Sequence, residues 1–332
     1  MSRQSNRRQF LKAGAGIGIG SWIAAGASSQ ERRSPNEPAG AGPVGAASRA
    51  EKKTGWKVFI VTDMEGVAGV LDFDPWCRPE SRYYELGKEF LTLEVNAAIE
   101  GFSRGGAAEF LVVDGHGCGA IDPKLLDSRA QLARNWPPNP YPFSLDDRMD
   151  FAAWVGQHAM SRTEFAHIAH TGSFVVFEST INGVPVGEFG EVAFCASQLG
   201  VRTIFGSGDL AFAKEAQKLV PGIETVAVKR GTTPGRGDEC DTEAYAKRNL
   251  AAIHYQPDRA RVMIREGAER AIRRAAADRS FGIIPLKRPF ERVTILRPQA
   301  GRPKQIGRSS HPTDVIALMN APMKYELHRP NG

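Results

Sequence analysis

Short apolar runs, each bounded by glycine or polar residues, recur along the chain and predict buried strands. They are rich in β-branched and aromatic residues. The runs cover residues 57–62, 109–113, 151–156, 172–181, 202–205 and 224–229. Asn182 and Gly183, a pair favoured in tight hairpin turns, follow the fourth run, and residues 184–186 return from it.

Between the strands, apolar positions spaced three or four residues apart predict amphipathic helices. These helices cover residues 187–199, 209–219, 84–104 and 257–277. Strands that alternate with helices favour a parallel sheet, because parallel neighbours need a crossover connection. We therefore predict an α/β protein: a three-layer α/β/α sandwich with a mainly parallel central sheet and one β-hairpin insertion.

The two ends of the chain lack this pattern. Residues 28–55 are rich in Ala, Gly, Pro, Ser and charge, a composition typical of linkers. Little periodicity is visible after residue 286. The predicted organisation is a signal peptide over 1–27, a disordered linker over 28–55, a folded domain over 56–286, and a C-terminal extension over 287–332 that is loosely structured or packs on the domain.

The N-terminal segment resembles a twin-arginine export signal. Arg7 and Arg8 precede Phe-Leu-Lys, a glycine-rich apolar stretch and small residues up to Ala27, in that order. The apolar stretch is too short for a transmembrane anchor. We expect a periplasmic or secreted protein without a stable membrane anchor.

Net charge adds little once it is divided along the chain. The 332 residues carry a formal charge of +6, but residues 1–55 hold nine Lys/Arg and three Asp/Glu, which leaves 34 of each sign afterwards. The folded body is therefore neutral, and a nucleic-acid partner is not expected.

Four cysteines show none of the paired spacings of zinc fingers. They are Cys77, Cys118, Cys195 and Cys240. In an oxidising compartment they could form two disulfides, although a chain of this length does not need them. The sequence leaves both disulfides and free thiols open.

Three of the apolar runs end at side chains able to bind a metal ion. The first leads to Asp63 and Glu65, the second to Asp114 and His116, and the third to His158. Functional groups gather at the carboxyl ends of strands in open α/β sheets, so these residues should converge. A period of two places Asp63 and Glu65 on one side of an extended chain.

Carboxylates crowded at one sheet edge repel each other, and a divalent cation reverses that balance. Imidazole and carboxylate ligands together suit Zn²⁺. A fifth ligand, with one carboxylate shared, suits two ions ~3.5–4 Å apart, and Glu188 at a predicted helix start is the natural fifth. Asp114 either orients a histidine or caps the turn after its strand.

Six stretches of the chain, in order, resemble the binuclear zinc D-aminopeptidase family associated with dipeptide-transport operons. They are VTDMEGVAGV, FLVVDGHG, WVGQHAMS, AHTGS, NGVPVGEFG and GDLAFAKEAQKLVPGIETVAVKRGT. Each stretch alone is a weak signal, whereas the ordered set is specific.

The resemblance implies which residue does what. Asp63 would bridge two zinc ions. Glu65 and His158 would complete one zinc site, and His116 and Glu188 would complete the other. The family also implies a homo-oligomer.

His170 matches the histidine that the family treats as catalytic, and His167 is its nearest rival. The implied function is a zinc-dependent exopeptidase that removes N-terminal residues, such as D-Ala, from short peptides through a metal-activated water. His170 would act as a base, as an acid for the leaving amine, or as a donor to the oxyanion. Two alternatives stay open: another binuclear-metal hydrolase (phosphoesterase or amidase), and a noncatalytic periplasmic peptide-binding protein.

Overall fold

The computed structural model describes residues 55–329. The predicted signal peptide and the predicted linker up to residue 54 lie outside the described residues. The central sheet comprises β1 (Trp56–Thr62), β2 (Ala107–Asp114), β3 (Ala130–Ala133), β4 (Phe151–Gln157), β7 (Arg202–Asp209), β8 (Glu224–Gly231) and β9 (Ala252–His254). Strands β5 (Val176–Ile181) and β6 (Val184–Pro185) belong to a second sheet.

The strands of the central sheet run in the order β3-β2-β1-β4-β7-β8-β9. All neighbouring pairs are parallel except β8 and β9, which are antiparallel. The prediction of an α/β fold with a mainly parallel central sheet is confirmed. The chain moves from β1 to one side and returns to the other at β4, so the strand order reverses between β1 and β4.

Helices cover both faces of the central sheet. They are α1 (Tyr84–Arg104), α2 (Glu188–Gln198), α3 (Leu210–Leu219), α4 (Thr242–Ala246), α5 (Pro257–Ala277) and α6 (Val315–Asn320). On β1, Val58 and Ile60 pack into one hydrophobic cluster with α1 and α5. Phe59 and Val61 point the other way and pack with α2, α3 and α6. The alternation along one strand therefore supplies two separate cores.

The second sheet comprises β5, β6, β10 (Phe290–Leu296), β11 (Gln305–His311) and β12 (Lys324–Leu327). It is wholly antiparallel, with the order β12-β11-β10-β5-β6. The predicted hairpin turn joins β5 to β6, and both Asn182 and Gly183 have positive φ.

The C-terminal segment adds three strands and a helix to the fold. The sequence predicted that residues 287–332 are loosely structured or pack on the domain. Strands β10 and β11 are only partly buried and mix apolar with charged or polar residues, so no long apolar run marks them. Pairing of β10 with β5 ties the segment to the domain.

No helix within residues 55–329 is long and apolar enough to cross a lipid bilayer. All four cysteines lie in this range and are unpaired. Of the two possibilities that the sequence allowed, disulfides or free thiols, the structure has free thiols.

The backbone after β1 crosses very close to the end of β4. Gly156 has φ +77°, and a Cβ at this position would lie 2.1 Å from the Asp63 carbonyl oxygen. Gly200 has a similar φ of +75°, but a Cβ there would have no neighbouring atom within 4 Å. Substitution at Gly200 therefore tests backbone strain alone, whereas substitution at Gly156 tests strain together with a steric clash.

We expect Gly156→Ala to lower the free energy of unfolding by roughly 3 kcal/mol or more. Gly200→Ala should lower it by only ~1 kcal/mol, because it adds strain without a clash. Urea unfolding of both variants measures the difference. Equal losses would show that close approach at Gly156 does not constrain the fold.

Candidate metal centre

The predicted ligands meet at the carboxyl edge of the central sheet. Asp63 and Glu65 follow β1, His116 follows β2, and His158 follows β4. These strands flank the point where the strand order reverses, where α/β sheets bind ligands. The fifth residue, Glu188, is the first residue of α2 and reaches the same place from outside the sheet.

Asp63 lies between two histidines. Its Oδ1 is 3.2 Å from His116 Nδ1, and its Oδ2 is 3.0 Å from His158 Nε2. The backbone amide of Met64 donates to Oδ1, and Gln157 donates to Oδ2. The carboxylate is thus fixed with one oxygen toward each histidine.

Two groups of potential ligands meet at the Asp63 carboxylate. Asp63, Glu65 and His116 form the first, and His158, His170 and Glu188 form the second. Glu65 Oε2 is 3.1 Å from His116 Nδ1, and Glu188 Oε1 is 3.5 Å from His158 Nε2. The geometry therefore groups Glu65 with His116 and Glu188 with His158, whereas the family resemblance pairs them the other way.

Backbone carbonyls set the tautomer of the ligating histidines. His116 Nε2 contacts the Cys77 carbonyl at 2.9 Å, and His158 Nδ1 contacts the Ala159 carbonyl at 2.9 Å. Because a carbonyl only accepts, each of these ring nitrogens carries a proton. The other nitrogen of each ring, facing the carboxylates, is then free to bind a metal ion.

Two buried atoms of the site, Glu65 Oε2 and His158 Nε2, make no well-aligned hydrogen bond within the described residues, although each lies close to an oppositely charged group, at 3.1 Å from His116 Nδ1 and 3.0 Å from Asp63 Oδ2 respectively. Buried polar atoms left unpaired are costly. Each belongs to a group whose ligand atoms lie within 4.8 Å of one another, close enough to share one ion. A metal ion would satisfy both atoms, and the mixture of imidazole and carboxylate ligands fits zinc.

The charges of the site favour a cation between the carboxylates. Burial would raise the pKa of Asp63, but His158 and His116 offset it and hold that pKa well below its usual range. Burial would lower the pKa of His158, but Glu188 and Asp63 raise it well above its usual range. Either protons on the histidines or bound metal ions supply the positive charge that balances the carboxylates. Metal binding needs neutral imidazole, so it competes with protons.

His170 reaches the second group from a strained turn. Ile168 has φ +53°, which a β-branched residue rarely adopts, and its carbonyl meets His170 Nδ1 at 2.9 Å. Nδ1 therefore carries the proton, while Nε2 lies 3.8 Å from Glu188 Oε1. Burial and the neighbouring His158 lower the pKa of His170, which favours the neutral ring. The turn thus presents a proton acceptor to the site.

The rival histidine, His167, is directed elsewhere. Its Nε2 donates to the Leu71 carbonyl at 3.2 Å, and its amide donates to Asp209 at 2.9 Å. Burial and the charge of Lys229 lower the pKa of His167 to about 2. It belongs to neither ligand group found among the described residues.

Asp114 caps the loop that follows β2. Its carboxylate accepts from the amides of Ala120 and Ile121. The sequence left open whether Asp114 orients a histidine or caps the turn after its strand, and these contacts are those of a turn cap. This loop carries His116, so the cap fixes a ligand-bearing segment.

A cavity of about 670 Å³ opens over both ligand groups. Its wall includes the aromatic residues Phe73, Tyr141, Phe143 and Phe174. Phe174 packs on the His170 ring with centroids 4.7 Å apart, and Phe73 meets that ring edge-on at 6.3 Å. The site is thus a partly enclosed apolar pocket with polar groups at its base, as small-molecule sites commonly are.

Sequence reasoning missed these aromatic residues and Gln157. The aromatics lie in loops, where no hydrophobic period marks the side that faces a site. Only the position of Gln157, beside His158 at a strand end, carried a usable signal.

Side chains from distant parts of the chain hold the segment after Glu65. Each of four side chains makes one hydrogen bond to a backbone amide or carbonyl of residues 68–71, at 2.9 to 3.2 Å. The four side chains are Glu94, His254, Lys229 and His167. This buried network positions the segment that joins a candidate ligand to the cavity wall.

We expect Glu94→Gln to change how stability depends on pH. Burial raises the pKa of Glu94 to about 8, so the native carboxyl stays protonated while the unfolded one ionises above ~4.3. Between these values the unfolded state binds fewer protons, so wild-type stability falls as pH rises, by up to ~1.4 kcal/mol per pH unit. Glutamine cannot ionise and should lose this dependence.

Urea unfolding of wild type and Glu94→Gln between pH 5 and 8 tests this. The wild type should lose stability relative to the variant as pH increases. A constant difference across that window would show that Glu94 ionises normally in the folded protein.

Comparison with known proteins agrees with the site. The profile of the D-aminopeptidase family matches residues 56–299. The D-aminopeptidase of Bacillus subtilis (strain 168) is 34% identical over 199 residues, which cover 58% of this chain and 70% of that protein. The family match and this relative, together with the fold and the site, place the chain among the peptidases, a class of hydrolases. The chain belongs to the D-aminopeptidase family, which confirms the predicted aminopeptidase activity.

A solved structure shares the fold. It is described as the Zn-dependent D-aminopeptidase DppA from Bacillus subtilis, a self-compartmentalizing protease. The TM-score is 0.66 at 24% sequence identity, and the match covers 79% of this chain and 94% of that chain.

Proposed function

We propose that this chain is a zinc-dependent exopeptidase that removes N-terminal D-residues, such as D-Ala, from short peptides with two zinc ions per subunit. The ligands would be Asp63, Glu65, His116, His158 and Glu188. The observation that carries the proposal is Asp63, whose two oxygens lie 3.2 Å and 3.0 Å from separate histidines. A carboxylate shared in this way suits a two-metal site. The zinc dependence stated for DppA supports the choice of metal.

Bound zinc would supply a nucleophile from water at neutral pH and polarise the peptide carbonyl. The chain's own residues would do the remaining work. His170, neutral and with Nε2 directed at the site, accepts a proton and later returns it to the leaving amine. The aromatic wall around His170 limits water access to this transfer.

Zinc analysis combined with a substrate panel tests this function. The purified protein should contain two zinc ions per subunit and cleave D-Ala peptides faster than L-Ala peptides. Chelation should abolish activity, and added zinc should restore it. Cleavage of phosphate esters alone would favour a phosphoesterase, and zinc with peptide binding but no turnover would favour a binding protein.

We further propose a homo-oligomer, exported by the twin-arginine route to the periplasm or medium. DppA is a self-compartmentalizing protease, which supports assembly of this chain as well, and the Arg7-Arg8 motif supports export. Light scattering measures the first. Cell fractionation of wild type and the Arg7→Lys, Arg8→Lys double variant measures the second.

A further inference from the structure

The cavity over the metal centre is lined by a single Lys or Arg side chain among the described residues, that of Arg78. The other charged groups of its lining are carboxylates and the site histidines. A short peptide ends in a carboxylate, which needs a cationic partner once it leaves water. Arg78 is the guanidinium placed to provide one.

The backbone places Arg78 next to the metal centre. The carbonyl of the preceding residue, Cys77, contacts His116 Nε2 at 2.9 Å. The Arg78 amide donates to Ser81 Oγ at 3.2 Å, and the Ser81 amide donates back to the Arg78 carbonyl at 2.9 Å. These two hydrogen bonds hold the Arg78 backbone in a turn, which lowers the conformational entropy that is lost when a ligand binds.

The side chain of Arg78 extends over the cavity wall. Its guanidinium lies 5.0 Å from the centre of the Phe73 ring, and that ring lies 6.3 Å from the ring of His170. An extended dipeptide spans ~7 Å and a tripeptide ~10 Å. The guanidinium therefore lies no farther from the His170 ring than these two distances together, a gap that a chain of two or three residues can span.

We propose that Arg78 binds the C-terminal carboxylate of the peptide and makes the enzyme selective for peptides of two or three residues. This inference rests on the proposed function. Longer peptides carry their carboxylate beyond Arg78, and peptide amides lack it. The guanidinium fork and a carboxylate pair through two parallel hydrogen bonds.

Arg78 is available for this role. Its present partner is Asp74, at 3.2 Å, and the two side chains are 49% and 70% exposed. Exposed ion pairs of this kind contribute little stability. A substrate carboxylate held on the cavity side can therefore take its place.

The test compares D-Ala-D-Ala with the same dipeptide ending in a neutral amide, on the full-length, zinc-loaded protein. Arg78→Met should raise KM for the free dipeptide ~10-fold or more and leave kcat and the KM for the amide unchanged. Arg78→Lys should restore part of the difference, because lysine keeps the charge but not the fork. Arg82→Met is the matched control, since Arg82 stacks on Tyr83 and lies outside the cavity lining.

Equal loss on both substrates would assign Arg78 a purely structural role and overturn the inference. An unchanged KM for the free dipeptide would overturn it as well. In either case, cleavage of both substrates by the wild type would leave the proposed function intact. A wild type that cleaves neither substrate would overturn the proposed function and this inference with it.

Discussion

Replacing Asp63 by asparagine should abolish peptidase activity and empty the site of zinc. Asp63 is 5% exposed and faces His116 and His158 with separate oxygens. Loss of its charge removes a partner from both ligand groups at once. Breaking a buried charge pair costs about 3–5 kcal/mol, so zinc affinity should fall ~10²–10⁴-fold. Zinc content and kcat/KM measured on the same preparation check this.

Asp114→Asn is the matched control for that experiment. Asp114 also lies at the carboxyl end of a central strand, as the last residue of β2, and is equally buried, at 5% exposed. Within residues 55–329 its carboxylate accepts from backbone amides of the loop after β2, and asparagine retains an accepting oxygen. This variant should keep its zinc. If both variants lost zinc to the same degree, the effect would come from strand-end packing rather than from a bridging carboxylate.

Replacing His170 by alanine should lower kcat ~10²–10⁴-fold while zinc content stays at the wild-type level. Burial and the neighbouring His158 lower the pKa of His170 and so favour its neutral ring, and the Ile168 carbonyl directs its Nε2 into the site. Removal therefore takes away a proton acceptor without removing one of the five proposed ligands. Single-turnover kinetics and metal analysis of the same sample separate the two effects.

A different outcome would reassign His170. Its ring stacks on His158 with centroids 3.9 Å apart, and it belongs to a potential ligand group. Loss of zinc from His170→Ala would make it a ligand. Capture of an acyl-imidazole on His170 would make it the nucleophile instead.

Much of the central sheet could be predicted from local pattern. The helices over 84–104 and 257–277 have the predicted bounds, because their apolar stripes and end signals are strong. The convergence of residues after β1, β2 and β4 followed from one rule about strand ends. The period of two also placed Asp63 and Glu65 on one side, and both contact His116.

What the sequence could not supply depends on contacts between distant segments. The grouping of Glu65 with His116 is set by how neighbouring strand ends approach, which no local spacing encodes. Strand β10 is only partly buried and mixes apolar with charged residues, so its pairing with β5 could not be predicted from the sequence. The support of residues 68–71 by Lys229 and Glu94 joins segments far apart in the chain.

A crystal structure of the zinc-loaded protein, with anomalous scattering recorded at the zinc edge, tests the shared role of Asp63 most directly. We predict two peaks ~3.5–4 Å apart in each subunit, one on either side of the Asp63 carboxylate. A single peak, or peaks that Asp63 does not contact, would contradict a two-zinc centre built on this residue.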